Sequence, residues 1–121
     1  MWYLSARLMM LMTVAAIAAT AILSLPVNAE SDSNQSREYV IEIKDLKFIP
    51  SQLKVRPGDT ITLINRDFVP HTATAEDGSW DTGTIKKDEA RSQMVTLGMQ
   101  LSYYCHFHPN MTGKLELSAN R

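Results

Sequence analysis

Through most of the chain, apolar positions come in short alternating runs. Tyr39, Ile41 and Ile43 fall on one side of a stretch whose other side carries Val40, Glu42 and Lys44. A period of two marks a half-buried strand, so residues 39–46 are predicted as the first strand. Phe48-Ile49-Pro50-Ser51 interrupts it, because proline has no N–H to give to a ladder. Leu53-Lys54-Val55 is a short second strand. Arg56-Pro57-Gly58-Asp59 then turns, with proline fixing φ and glycine accepting a positive one. Thr60 to Ile64 forms a third strand, with Ile61 and Leu63 on one face. Thr72 to Ala75, Ser92 to Leu97, Leu101 to Cys105 and Gly113 to Leu117 continue the series. In the last, Leu115 and Leu117 point inward, Lys114 and Glu116 outward. Glu76-Asp77-Gly78-Ser79, Asp81-Thr82-Gly83-Thr84 and Lys86-Lys87-Asp88-Glu89 are turn and loop chemistry. Met94 and Met99 are read as core and turn residues. No helical period persists beyond the first segment. Short strands with turns about every 8–12 residues predict an all-β domain, a β-sandwich.

Residues 1–29 differ in kind. Arg7 supplies a positive start, Leu8 to Leu25 is apolar apart from small hydroxyl residues, and Val27-Asn28-Ala29 offers a cleavage site. This is the layout of a secretory signal peptide, with cleavage expected after Ala29. The competing reading is an uncleaved membrane anchor, since the apolar run is about long enough to span a bilayer. Either way the domain is exported. Residues 30–37 are polar and read as a flexible leader, and residues 38–121 as one domain.

Charge narrows the function more than it narrows the fold. The chain has 12 Lys+Arg against 13 Asp+Glu, a net charge of −1. That balance, with the basic residues scattered, argues against nucleic acid or a strongly acidic substrate as partner. One cysteine excludes an intrachain disulfide. An unpaired thiol in an exported domain is exposed to oxidation unless something claims it, and metal ligation is such a claim.

The candidate chemistry gathers in Tyr104-Cys105-His106-Phe107-His108-Pro109-Asn110-Met111. Cys105, His108 and Met111 fall at i, i+3 and i+6, and His71 lies well upstream in Phe68-Val69-Pro70-His71. Each has a plainer reading alone: cysteine as a small buried hydrophobe, His71 as a loop histidine, Met111 as core. Together they are the donor set that copper prefers. A thiolate and two imidazoles in a trigonal plane, with a weak axial thioether, make the electron-transfer copper site. Zinc rarely takes a thioether. His106 points away from Cys105 and His108 in an extended loop and is expected at the surface.

Two stretches resemble the blue copper proteins, or cupredoxins. One is Val55-Arg56-Pro57-Gly58-Asp59-Thr60-Ile61-Thr62-Leu63-Ile64-Asn65-Arg66 leading to Pro70-His71. The other is Tyr103-Tyr104-Cys105-x-x-His108-Pro109-x-Met111-x-Gly113. The short Cys-x-x-His-x-x-Met spacing is most similar to the amicyanin-like members, and the likeness runs from about Lys47 to Leu117. It implies a Greek-key β-sandwich of seven or eight strands, one copper held by His71, Cys105, His108 and Met111, and one-electron shuttling in the periplasm. In such proteins an asparagine usually follows the first histidine and ties the two ligand loops together. Here Thr72 stands there, with less reach, so a contact through its backbone is expected instead. Asn110 replaces a common apolar residue, which makes that side of the loop more polar.

The leading expectation is therefore a periplasmic electron carrier, cycling Cu(I) and Cu(II) and docking as a monomer. Phe68, Val69, Pro70, Phe107 and Pro109 would form an apolar collar around His108, where a redox protein such as a dehydrogenase, a cytochrome c or an oxidase approaches. No small-molecule substrate is expected. The alternative is a copper-binding or trafficking protein on the same fold. A cysteine nucleophile with a histidine base is a third class, disfavoured because the sequence offers no oxyanion device.

Overall fold

The computed structural model describes residues 35–119, so the expected signal peptide, 1–29, and most of the leader lie outside the described residues. Eight strands follow in order: β1 Glu38–Lys44, β2 Lys47–Ile49, β3 Gln52–Val55, β4 Thr60–Asn65, β5 Thr74–Ala75, β6 Ala90–Met94, β7 Ser102–Tyr104 and β8 Thr112–Leu117. They form two four-stranded sheets, β2-β1-β4-β6 and β3-β8-β7-β5. Both are mixed: β1 pairs parallel with β4 and β3 parallel with β8, while the remaining pairs are antiparallel. No helix occurs among the described residues.

The alternating pattern does its work between the sheets. Ile41, Ile43, Ile61 and Leu63 of the first sheet are fully buried, and they share one core with Val55, Tyr103 and Leu115 of the second. The Phe48 and Tyr103 rings meet edge-on across the two sheets at 4.8 Å. Behind Tyr103 lies Trp80, at 5.6 Å between ring centroids. Its indole N–H donates to the Gln100 carbonyl, which satisfies its one polar atom.

Four expectations need correction. The first strand does not run to Leu46. Asp45 and Leu46 adopt φ of 53° and 57° and turn the chain back, so that Lys47–Ile49 becomes a strand paired antiparallel with β1. Two consecutive positive φ values make the tight hairpin turn that matches strand twist. The predicted 92–97 strand ends at Met94 instead, because β4 starts at Thr60, the partner of Met94. Met94 is 58% exposed rather than core, and Leu117, expected inward, is 41% exposed. Met99 does sit beyond the turn, partly buried against the core.

Candidate metal centre

His71 is delivered by the loop that leaves β4, and a buried asparagine shapes that loop. Asn65 donates through Nδ2 to the carbonyls of Val69 and Ile85, at 2.8 and 2.9 Å. Its Oδ1 accepts the Asp67 amide at 2.8 Å. An amide side chain has two donor hydrogens and an accepting oxygen, and here both hydrogens and the oxygen are engaged where water does not reach. His71 then pairs with Ile85 through two backbone hydrogen bonds, of 3.1 and 2.8 Å. The imidazole is fully buried.

Cys105 leaves the end of β7, and the loop beyond it explains the spacing of three. His108 N–H donates to the Cys105 carbonyl and Met111 N–H to the His108 carbonyl, at 3.2 and 2.8 Å. Each such bond closes a tight turn. Cys105 N–H in turn donates to the Met111 carbonyl at 2.9 Å, closing the loop on itself. Cys105 is fully buried and Met111 is 4% exposed. His108 is half-buried.

The histidines converge on the sulfur. Cys105 Sγ lies 3.6 Å from His71 Nδ1 and 3.7 Å from His108 Nδ1. The donor atoms of the three residues lie within 4.8 Å of one another. With metal–sulfur and metal–nitrogen bonds of about 2.3 and about 2.0 Å, trigonal angles would give a sulfur–nitrogen edge of about 3.7 Å. The two sulfur–nitrogen separations fit a metal shared by Cys105 and each histidine, and the donor set fits copper.

Surrounding groups orient these donors. Asp67 Oδ2 sits 2.8 Å from His71 Nε2. A carboxylate only accepts, so Nε2 carries the proton and Nδ1 keeps its lone pair for the metal. The same carboxylate accepts the two turn amides, Asp45 N–H at 2.8 Å and Leu46 N–H at 3.1 Å. Burial raises the Asp67 pKa, but the Leu46 and Asp45 amides and His71 outweigh it and hold the group below its ordinary value of 3.8. On the other side, Thr72 N–H points at Cys105 Sγ from 3.4 Å. The Thr72 hydroxyl also accepts the His106 amide at 2.8 Å. The tie between the two ligand loops is thus made by the hydroxyl as well as by the backbone, despite the shorter side chain.

The remaining singled-out residues fall where their chemistry suggests. His106 is exposed and outside the donor group. Phe68 is 86% exposed, Val69 43% and Phe107 48%, and Pro70, Pro109 and Asn110 are exposed as well. Sequence reasoning missed Asp67 and Asn65. A carboxylate four residues before a candidate ligand histidine was the available signal for Asp67. For Asn65 it was an asparagine closing an apolar strand.

The chain is similar to several known proteins. Amicyanin of Paracoccus denitrificans is 33% identical over 81 residues, which cover 63% of this chain and 62% of the relative's own length. Chloroplastic plastocyanin of Chlamydomonas reinhardtii is 24% identical over 115 residues, covering 84% of this chain and 79% of that protein. Among solved structures, the Cu(I) form of an amicyanin methionine variant matches with a TM-score of 0.60 and 31% identity, over 67% of this chain and 82% of the other. The family model for the cupredoxin-like domain spans residues 9–115. With two mixed sheets, a histidine from one loop, and a cysteine, histidine and methionine from another, the chain belongs to the cupredoxin-like family.

Proposed function

We propose that this protein is a periplasmic one-electron carrier with a mononuclear blue copper site, its ligands His71, Cys105, His108 and Met111. The observation that carries the reading is the placement of Cys105 Sγ 3.6 and 3.7 Å from two histidine Nδ1 atoms. When bound, copper supplies the Cu(I)/Cu(II) couple. The chain's part is to hold one donor geometry that serves both states. Asp67 fixes the His71 tautomer, Thr72 N–H faces the sulfur, and burial keeps water from Cys105. His108, half-buried, is the donor nearest to solvent and so the point of closest approach for a partner.

Phe68, Val69 and Phe107 are exposed apolar side chains of the kind that redox proteins use for brief docking. The partner is a redox protein such as a dehydrogenase, a cytochrome c or an oxidase, met by a monomer. The protein turns over no substrate of its own. In this reading residues 1–29 direct export and are removed, 30–37 form a leader, and 38–121 are the copper domain. The parallel pairings β1–β4 and β3–β8 support a Greek-key winding of its strands.

Voltammetry of the copper-loaded protein, followed by challenge with a Cu(I) chelator, tests the function. A reversible one-electron wave with slow loss of metal is expected. An irreversible wave with prompt surrender of copper would replace the carrier with a trafficking protein.

A further inference from the structure

Behind the ligand loop runs a line of polar groups that the donor set does not include. The His106 amide donates to Thr72 Oγ1 at 2.8 Å. Thr72 Oγ1 lies 2.9 Å from Thr74 Oγ1, and Thr74 Oγ1 donates to Asp81 Oδ2 at 3.0 Å. Thr72 and Thr74 are 5% and 6% exposed. The direction of every proton follows from chemistry. A carboxylate accepts only, so Thr74 spends its single hydroxyl proton on Asp81. Thr72 must then donate to Thr74, which leaves its lone pairs facing the His106 amide. Each buried hydroxyl makes one donated and one accepted bond, and the line has one polarity from end to end.

Resting on the copper reading above, we propose that Thr74 and Asp81 are positioning residues for the ligand loops. Asp81 orients Thr74, Thr74 orients the Thr72 hydroxyl, and that hydroxyl clamps the loop at His106, next to Cys105. The clamp holds the sulfur in register with the Thr72 amide, 3.4 Å away. A donor pointed at a thiolate withdraws electron density from it, which favours the reduced metal. Removing the acceptor beyond Thr72 leaves its hydroxyl proton without a partner in a buried place. The hydroxyl then turns to another acceptor and loosens the clamp.

The test compares the copper-loaded wild type with Thr74→Val, Thr74→Ser, Asp81→Ala and the double variant Thr74→Val/Asp81→Ala. Valine keeps the shape of threonine, and Asp81 is exposed, so that Asp81→Ala probes the line even if a buried substitution disturbs folding. The expected result is a shift of the thiolate-to-copper band to longer wavelength in Thr74→Val and Asp81→Ala. With it comes a potential lower by about 59 mV, the one-electron equivalent of a tenfold change in Cu(I) preference. Thr74→Ser should restore both readings, and the double variant should match Thr74→Val alone, since both changes cut one line. An unchanged band and potential in both single variants would overturn the proposal. So would additive effects in the double variant, which would mean that Asp81 acts as a remote charge. If the wild type itself lacks a thiolate band, it is the copper reading that fails; a normal wild type with unresponsive variants refutes the relay alone.

Discussion

A carboxylate four residues before His71 accepts three hydrogen bonds, from two turn amides and from the His71 ring. An asparagine in its place has only one accepting oxygen, and its NH2 group would face a donor. Asp67→Asn should therefore weaken copper binding by about 10–100-fold, the usual cost of losing a partner behind a metal ligand. Competition titration against a chelator of known affinity measures it. The same residue predicts an acid dependence. Its pKa is lowered in the fold from 3.8. A lowered carboxylate stabilises the fold fully above its unfolded value and loses that contribution as pH falls through the folded one. The urea midpoints of metal-free wild type and Asp67→Asn should accordingly converge at low pH and separate towards neutrality. A gap that stays constant with pH would contradict this. At this scale the donors were legible because a thiol, an imidazole and a thioether at fixed spacing have few other joint uses. Asp67 was not, because its role depends on a turn at Asp45 and Leu46 that only the folded chain brings beside it.

The close approach of β8 to β7 depends on one glycine. A methyl at Gly113 would fall inside the van der Waals surface of the Tyr103 ring, against Cζ and the hydroxyl oxygen. That ring cannot move aside, since Phe48 and Trp80 pack against it. Gly113→Ala should cost about 1–3 kcal/mol of stability, the range for overpacking a filled core. The opposite sign is expected for Tyr103→Phe. The Tyr103 hydroxyl is buried and has no hydrogen-bond partner among the described residues. Removing it should leave stability unchanged or raise it by about 1 kcal/mol, read from urea unfolding. Strand positions were legible wherever one face is buried, as with Ile41, Ile43, Ile61 and Leu63. They were not legible at strand ends. Leu46 carries none of the asparagine or glycine signal that hairpin turns usually show. Met94 is exposed rather than core, and past it the neighbouring chain is the Pro57-Gly58 turn. Val95 is held there by hydrogen bonds of 2.7 Å with Gly58 and Asp59.

Across the whole molecule, the proposed metal joins the loop after β4 to the loop after β7, two segments otherwise linked near the sulfur by the Thr72 contacts. A ligand that binds only the folded chain adds about 2.7 kcal/mol at a hundredfold excess over its dissociation constant. In a domain of this size each kcal/mol is worth about 4–8 °C. Copper loading should raise the melting temperature by about 10 °C or more, seen by calorimetry, and stripping it should reverse the gain. The two-sheet architecture was legible from alternation and turn spacing, whereas the pairing of strands was not, because parallel partners such as β1 and β4 are distant in sequence.

The central claim is that Cys105, His71, His108 and Met111 meet on one copper. The most direct measurement is the visible and electron paramagnetic resonance spectrum of the Cu(II)-loaded protein beside Cys105→Ser. An intense blue thiolate-to-copper band with a narrow copper hyperfine splitting, both absent from the variant, is the predicted result. A pale spectrum of tetragonal copper, the same in both proteins, would show that the sulfur does not bind the metal and would contradict the account.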